Sequence, residues 1–308
     1  MDKSSLFTAY FSDWIDVYKR DAVRPVTLRK YETSLKRLSQ IAPALTVTAL
    51  DRRAYQGILN TYAKTHERQT TLDFHHQLRA TILDAVDDGL LEYDPTRRAV
   101  AKGITRRRST VKFLSLSEVK QLLTVLDLSG STPSWDHFIY IVLKTGLRFA
   151  EALGLTPTDM SIPRLTVSVT KTWDYKSAAP GFAPTKNKSS LRTIPVDEPT
   201  CNIIARIVDG VPADQALFVP LGHRVFNESV NNRLRQLCAA AGIPTVTVHG
   251  LRHTHASILL YAGVSVASVA RRLGHANITT TQRTYLHIID ELEAQDTTKV
   301  ICCLENLG

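Results

Sequence analysis

Apolar residues recur with helical spacing along most of this 308-residue chain, and four such segments occupy roughly its first ninety positions. Within residues 4–20 the repeat predicts a helix with a buried, mainly aromatic face made of Leu6, Phe7, Tyr10, Trp14, Val17 and Tyr18. Segments near Pro25, Leu50 and Arg68 predict three more helices, the last closed by the Asp-Asp-Gly turn at 87–89. The first part of the chain should therefore form a small helical bundle.

The helical pattern disappears between Arg97 and Lys112, where Gly103 and several Ser and Thr residues argue against a packed helix. The segment has no acidic residue, and its basic residues are Arg97, Arg98, Lys102, Arg106, Arg107, Arg108 and Lys112. Such a run is either a solvated linker or a segment that contacts phosphates. We place a domain at 1–103, a linker at 104–112 and a second domain at 113–308.

The second domain combines further helical segments with a short region of strand-like alternation. The first of its predicted helices begins after Ser115 or Ser117, which would cap it. The other predicted helices cover 135–145, 147–155, 200–208, 227–241, the residues after His249, 267–275 and the residues from 278. Residues 166–170 and 192–196 alternate with strand period. The predicted fold class is mainly α with a small antiparallel β-sheet, divided into two domains.

Composition favours an anionic partner, because 38 basic and 29 acidic residues give a net charge of +9. The four cysteines, at 201, 238, 302 and 303, have no zinc-binding spacing, so we expect reduced thiols and no metal. The chain shows no apolar run long enough for a membrane helix and no secretory signal. These observations favour a soluble protein of the cytoplasm.

The densest chemistry lies between residues 246 and 287. His249 and Arg252 are three positions apart, so they share one face if a helix begins near Thr247. A proton-transfer group beside a permanent cation suits a phosphate oxygen, and His275 could donate another hydrogen bond. Tyr285 supplies a hydroxyl nucleophile. Together the four residues suggest phosphoryl transfer through a covalent phosphotyrosine.

Other readings of this region remain. Tyr261 is a rival nucleophile, although its Leu-Leu-Tyr context predicts helix core. His249, His253 and His255 invite a metal site, but a glutamate does not follow His249 as in HExxH, and Arg252 would repel a cation. Taken alone, Arg148 at the start of an apolar helix could simply pair with Glu151.

Five motifs in this order resemble the tyrosine recombinases, the phage-integrase family. They are Thr-Gly-Leu-Arg-Phe-Ala-Glu at 145–151, Thr-Lys…Arg-Thr-Ile-Pro at 185–195, His-Gly-Leu-Arg-His-Thr at 249–254, Leu-Gly-His at 273–275 and Tyr-Leu-His at 285–287. Each is unspecific alone, but the ordered set is very specific. The resemblance implies an N-terminal helical core-binding domain of SAM-like type and a C-terminal α+β catalytic domain.

The resemblance also implies roles for particular residues. Arg148 and Arg252 would clamp the scissile phosphate, with Glu151 in support, and Tyr285 would attack it. His249 would be the base, and His275 a phosphate donor. Lys186, expected at or near a hairpin tip, would protonate the departing 5′ oxygen, and Lys188 is an alternative in the same loop. No cofactor is implied.

The implied partners are double-stranded DNA sites and further copies of the chain. The resemblance implies a homo-tetramer on DNA, a monomer or weak oligomer when free, and an accessory DNA-bending or excision factor. The tail at about 290–308 would pack on a neighbouring protomer or on its own domain. The motif style favours integrases of phages and integrative elements; alternatives are an Xer-like resolvase, a type IB topoisomerase-like enzyme and a non-catalytic DNA-binding protein.

Overall fold

The computed structural model describes residues 4–105, 113–177 and 179–286. The chain divides into two compact units, Met1–Arg108 and Ser109–Gly308, and each has its own hydrophobic core. The four helices of the first unit are α1 (Phe7–Tyr18), α2 (Pro25–Ile41), α3 (Arg52–Ala63) and α4 (Arg68–Asp87). Pro25 occupies the first turn of α2, and Asp51 caps α3 through the Ala54 N–H. The predicted helical bundle is therefore observed.

The predicted buried face of α1 is only partly correct. Phe7, Tyr10 and Trp14 are buried with Phe11 and Ile15 in the core of the first unit. Three other members of that face are exposed, namely Leu6, Val17 and Tyr18. Leu6 precedes the helix, and Val17 and Tyr18 lie in its last turn, so only the central turns of α1 contribute a closed apolar face.

The start of the basic segment belongs to the first unit. Ile104 N–H donates to His66 O over 2.9 Å, and Ile104 forms a parallel bridge with Glu67. The Val100 N–H donates to Gln56 Oε1 over 2.9 Å, and the Gln56 amide donates to Val100 O. These bonds hold Val100 and Ile104 against the bundle. This part of the basic segment is therefore not a linker surrounded only by solvent.

The second unit contains eight α-helices and five short strands within its described residues. They are α5 (Leu116–Val125), α6 (Trp135–Thr145), α7 (Phe149–Leu153), β1 (Met160–Ser161), β2 (Thr166–Val169), β3 (Thr172–Asp174), β4 (Gly181–Ala183), β5 (Arg192–Pro195), α8 (Glu198–Val208), α9 (Asn227–Ala240), α10 (Val248–Tyr261), α11 (Val266–Leu273) and α12 (Ile278–Thr284). Ser115, one of the two predicted caps, forms a capping box with Glu118 at α5.

Helix α6 lies at the centre of the second unit. Its residues from Phe138 to Leu143 are buried on every side, which is typical of a helix surrounded by other elements. It packs against α10, α9, α8 and α7. Gly146, with φ of +69°, ends the helix in the left-handed conformation that glycine adopts without strain. The turn after α6 consequently directs Arg148 towards α10 and α11.

The strands form two small antiparallel sheets. One has the order β1-β2-β5, with Thr166 opposite Pro195 and Val169 opposite Arg192. The other pairs β3 with β4, and the rings of Trp173 and Phe182 meet edge to face. Lys186 was predicted at or near a hairpin tip, and this is wrong. Strands β3 and β4 pair with each other, so Lys186 lies in the connection from β4 to β5.

Two tyrosines also differ from expectation. Tyr261 was predicted in the helix core, but it is the last residue of α10 and is half exposed. Tyr285 was expected on a helix; instead α12 ends at Thr284, and Tyr285 is the residue that caps it. Its N–H still donates to Thr281 O over 3.0 Å, so the orientation of Tyr285 is set by the last turn of α12. In the described parts of the chain, no helix is both long and apolar enough to span a membrane.

Candidate active site

Helix α10 carries two of the predicted site residues in its first turns. Thr247 caps the helix by accepting a hydrogen bond from the Gly250 N–H over 3.1 Å, which fixes the start of α10 at Val248. His249 follows at the surface, while Arg252 is buried with 3% exposure. The predicted helix start near Thr247 is thus correct.

Arg252 is held by backbone carbonyl groups. Its Nη1 donates to Gly146 O over 2.6 Å, and its Nη2 donates to Leu273 O over 2.7 Å. Burial and the charge of Arg148 lower the pKa of Arg252 to about 9, so the guanidinium remains charged at neutral pH. Among the described residues no carboxylate forms an ion pair with Arg252, although the charge of Glu151 acts on it, so this buried cation is well suited to an anionic ligand.

Arg148 lies near Arg252, because Arg252 binds the carbonyl group of Gly146 two positions before Arg148. Its Nη1 donates to Glu151 Oε1 over 2.6 Å, and its Nη2 donates to Gly274 O over 2.9 Å. The two arginines therefore bind consecutive carbonyl groups, those of Leu273 and Gly274. The Arg148 side chain is one-third exposed, so solvent or a ligand reaches it.

Glu151 joins Arg148 to a third arginine, Arg192 on β5. Arg192 Nη2 donates to Glu151 Oε2 over 2.9 Å, and both side chains are buried. Burial alone would raise the pKa of Glu151, but Arg192 and Arg148 hold it below the ordinary value. The pairing of Arg148 with Glu151 that we considered from sequence is present, and it orients Arg148 as well as neutralising Glu151.

His275 follows the positive-φ residue Gly274, which ends α11. Its Nδ1 lies 2.7 Å from Thr281 Oγ1 on α12. Burial, followed by the charges of Arg252 and Arg148, lowers the pKa of His275 to about 4. The imidazole is consequently neutral at pH 7, and it can still donate one hydrogen bond.

His249 experiences the same two cations. Desolvation lowers its pKa first, and the charges of Arg252 and Arg148 lower it further. Its ring meets that of His253, one turn later, edge to face with centroids 4.7 Å apart. His249 is therefore neutral at physiological pH and borders both the arginines and His253.

Tyr285 is buried, with 2% exposure, among Ala256, Leu260, Val269 and Leu273. Burial raises the pKa of its phenol to about 12, although the charge of Arg252 opposes this rise. A phenol in this position needs a proton acceptor if it is to become a nucleophile near neutral pH.

His253 lies at hydrogen-bond distance from this phenol. From the sequence alone it was considered only as a metal ligand. Its Nδ1 lies 2.9 Å from Tyr285 Oη, and the two rings have centroids 5.7 Å apart. The spacing of His253 from His249 put it on the same helix face, which was the available signal. Within residues 4–105, 113–177 and 179–286, His, Cys, Asp and Glu side chains form no group of three suited to a metal ion.

His255, the third histidine of α10, has a structural position. Its Nδ1 donates to Leu143 O over 2.8 Å, and its Nε2 accepts from Arg272 Nε over 2.9 Å. Burial and the charge of Arg272 lower the pKa of His255 to about 3. Arg272 also donates to Pro195 O and Lys144 O, and it thereby connects α11, β5 and α6.

The remaining predicted residues are lysines of the second unit, basic residues of the first unit and residues outside the described chain. Lys186 is exposed in the β4–β5 connection, and Lys188 begins a short 3₁₀ turn. Arg97, Arg98 and Lys102 are exposed on the first unit. The other basic linker residues, Arg106, Arg107, Arg108 and Lys112, and the tail at about 290–308 lie outside the described residues.

Comparison with known proteins agrees with the motifs. Residues 112–291 match the phage integrase family. The integrase of Staphylococcus phage L54a is 20% identical over 95% of this chain and 92% of its own length. Tyrosine recombinase XerC of Proteus mirabilis is 26% identical over 92% of this chain and 90% of its own.

Similarity in structure extends over both units. A solved structure of the Tn1549 transposon integrase, in complex with a circular intermediate DNA, superposes with a TM-score of 0.76. It shares 19% identity and covers 91% of this chain and 94% of the other. At that identity the likeness concerns the fold, whereas the match of residues 112–291 fixes the family. The chain belongs to the phage integrase family, the tyrosine recombinases.

Proposed function

We propose that this chain is a site-specific DNA recombinase that cleaves and rejoins duplex DNA through a 3′-phosphotyrosine on Tyr285. The observation that carries the proposal is the convergence of Arg148 and Arg252 on the consecutive carbonyl groups of Leu273 and Gly274. The two guanidinium groups lie beside His275 and near Tyr285, and both lower the pKa of His275. Two fixed cations next to a nucleophile suit the doubly charged transition state of phosphoryl transfer.

In the proposed reaction the Tyr285 oxygen attacks a DNA phosphorus, and the bond from phosphorus to the 5′ oxygen breaks. The products are a 3′-phosphotyrosine and a free 5′-hydroxyl. A 5′-hydroxyl from the partner duplex then attacks the phosphotyrosine, which restores both the DNA backbone and Tyr285. Because one phosphodiester replaces another, the exchange needs no external energy source.

The remaining site residues have proposed roles around the phosphate. Arg148 and Arg252 neutralise the charge on the non-bridging oxygens, and loss of either should slow cleavage by about 10²–10³-fold. The family resemblance assigns the base to His249, and neutral His275 donates a hydrogen bond to the phosphate. Lys186 protonates the departing 5′ oxygen, which its exposed position in the β4–β5 connection permits.

The number of nucleophiles sets the proposed assembly. Exchange between two duplexes breaks four strands, and each protomer supplies one Tyr285. We therefore infer a homo-tetramer on DNA that forms from monomers or weak oligomers, together with an accessory bending or excision factor. The net charge of +9 favours the DNA partner, and we expect the protein to act in the cytoplasm at the nucleoid.

Covalent trapping tests the function. The protein is mixed in EDTA with supercoiled DNA from its own genetic neighbourhood, quenched with detergent and digested to peptides for mass spectrometry. We expect a nucleotide adduct on Tyr285 that is lost in Tyr285→Phe and retained in the matched control Tyr261→Phe. An adduct on Tyr261 would contradict the assignment of the nucleophile, and tight DNA binding without any adduct would contradict catalysis.

Integration and excision for a mobile element is the role we favour, and resolution of replicons is the second candidate. The 26% identity to a XerC recombinase supports the second, while the Staphylococcus phage integrase supports the first. Plasmids carrying the mapped site distinguish them. Recombination between two different site sequences indicates integration, whereas recombination only between two copies of one site indicates resolution. Relaxation of DNA that lacks a second site would instead indicate topoisomerase-like activity.

A further inference from the structure

Within the described residues, the hydroxyl of Tyr285 has the imidazole of His253 at hydrogen-bond distance. The atoms Oη and Nδ1 are 2.9 Å apart, although the residues are 32 positions apart in the chain. The surrounding side chains of Tyr285 are otherwise apolar, with Ala256, Leu260 and Leu273 in the same cluster. The geometry is that required of a general base and the proton it removes.

We propose that His253 accepts the phenolic proton of Tyr285 during cleavage and returns it during rejoining, an inference that rests on the proposed function above. In the cleavage step the Tyr285 O–H bond breaks, and its proton moves to His253 Nδ1. The oxygen forms the bond to phosphorus as the 5′ oxygen departs with a proton from another acid. His253 becomes an imidazolium, and the reverse transfer restores it when the 5′-hydroxyl attacks.

The arrangement of α10 supports this assignment. His249, which the family resemblance suggests as the base, meets His253 edge to face and lies one turn nearer the helix start. The ring of His253 also meets the ring of Tyr285 edge to face, with centroids 5.7 Å apart. His253 consequently contacts both His249 and the nucleophile, and in the described structure it is His253 that lies at hydrogen-bond distance from the Tyr285 hydroxyl.

Charged and titratable groups surround the His253–Tyr285 pair. Arg252 lies close enough to influence both Tyr285 and His275, and the charge of His253 itself would disfavour a protonated His275. His249 is held neutral by the same cations. With the proton on Nε2, His253 presents an unprotonated Nδ1 to the Tyr285 hydroxyl.

The test uses single-turnover cleavage of a nicked duplex that carries the site mapped by covalent trapping. His253→Ala removes the acceptor, whereas His253→Gln can keep a hydrogen bond to Tyr285 but cannot take up its proton. We expect both to cleave about 10²-fold more slowly than the wild type, with DNA affinity unchanged. His223→Gln, an exposed histidine outside the site, is the matched control and should cleave at the wild-type rate.

A second measurement separates proton transfer from a structural role. Replacing Tyr285 by 3,5-difluorotyrosine gives a more acidic phenol, which depends less on a base. The ratio of the cleavage rates of the protein with His253 and the His253→Gln variant should then fall from about 10²-fold to below about 10-fold. Three results would overturn the proposal. They are cleavage by His253→Gln at the wild-type rate, cleavage by His253→Ala faster than the wild type, and a cleavage defect of His253→Gln that fluorination of Tyr285 does not change.

Failure of the proposed function is distinguishable from failure of this inference. If the wild-type protein forms no Tyr285 adduct on the duplex, the proposed function fails. If the wild type forms the adduct and His253→Gln forms it equally fast, only the role of His253 fails. The Gln variant keeps the polar contact, so it remains informative even if His253→Ala does not fold.

Discussion

Arg192 donates a hydrogen bond from Nη2 to Oε2 of Glu151, 41 positions earlier in the chain, over 2.9 Å. The same guanidinium donates to Ser190 O over 2.9 Å and to Arg272 O over 2.6 Å. Arg192 therefore fastens three segments at once. They are helix α7, which Arg148 precedes, the connection after Lys186 and the end of α11.

Arg192→Met should weaken both the fold and the reaction. It leaves two backbone carbonyl groups without this donor and removes one of the two cations that compensate buried Glu151. We expect the free energy of unfolding of the second unit to fall by about 3 kcal/mol. Cleavage should slow because Glu151, the partner of Arg148, is no longer held by Arg192.

Chemical denaturation and adduct formation measure the two effects of Arg192→Met. Arg271→Met is the matched control, because Arg271 is exposed in the last turn of α11 and should leave both quantities unchanged. Arg192→Lys should restore little, since an ammonium group lacks the planar fork that binds several acceptors. Equal free energies of unfolding in Arg192→Met and Arg271→Met would contradict this role of Arg192.

Gly274→Ala should impair cleavage more than Gly263→Ala does. Both glycines have positive φ, +68° and +81°, so each alanine costs roughly 1–2 kcal/mol in backbone strain. Only at 274 would the new Cβ meet other atoms, 2.8 Å from Arg192 Nη1 and 3.0 Å from Ser189 O. Either Arg192 or the backbone at 274, whose carbonyl binds Arg148, must then shift. Similar cleavage rates in the two variants, at matched protein stability, would argue against the effect.

Acidification should destabilise the second unit through His255. Burial and Arg272 lower the pKa of His255 to about 3, from an ordinary value of 6.5. The unfolded chain therefore takes up a proton that the folded protein does not, and stability falls as the pH decreases below about 6.5. At pH 5 this loss amounts to about 2 kcal/mol for His255 alone.

His255→Gln isolates that contribution. Unfolding free energies at pH 7.5 and pH 5 should differ less in the variant than in the wild type, by about 2 kcal/mol. His275 contributes in the same direction in both proteins, because its pKa is lowered to about 4. Glu151 has a pKa below its ordinary value, so its contribution is lost only at lower pH. An identical pH dependence in the two proteins would refute the prediction.

The exposed basic residues at 97, 98 and 102 should contribute to DNA affinity without contributing to sequence choice. We expect the combined variant Arg97→Gln, Arg98→Asn and Lys102→Gln to reduce the slope of log K against log salt by about 3. Asn is chosen at 98 because Arg98 has φ of +62°, which Asn tolerates. Arg20→Gln should leave the slope unchanged, since Arg20 is paired with Asp16. An unchanged slope in the triple variant would exclude phosphate contacts there.

Local signals predicted most helices of this fold. The bounds of α6 follow from an apolar run that a glycine closes, and Thr247 caps α10 through its own side chain. The β3–β4 hairpin could not be predicted in the same way. Its strands have three residues each, and Trp173 meets Phe182 only after the hairpin has formed. The predicted position of Lys186 at or near a hairpin tip was wrong for that reason.

Within the site, the sequence identified side chains by their chemistry but not by their contacts. His253 is as compatible with a metal ligand as with a base until α12 brings Tyr285 beside it. Arg192 lies in the Arg-Thr-Ile-Pro motif, but the motif does not show its role, because Glu151 and Arg272 lie 41 and 80 positions away. The packing of β5 against α7 and α11 decides its role, and periodicity does not report such long-range contacts.

Arg148 and Arg252 bind three carbonyl groups of the main chain, those of Gly146, Leu273 and Gly274. Every residue type has a carbonyl group, so a substitution at such a position can preserve the hydrogen bond if the backbone path is preserved. Only the two glycines are restricted, by their positive φ. A site of this kind can persist while most surrounding side chains diverge, which is compatible with relatives that share only 20% and 26% of their residues with this chain.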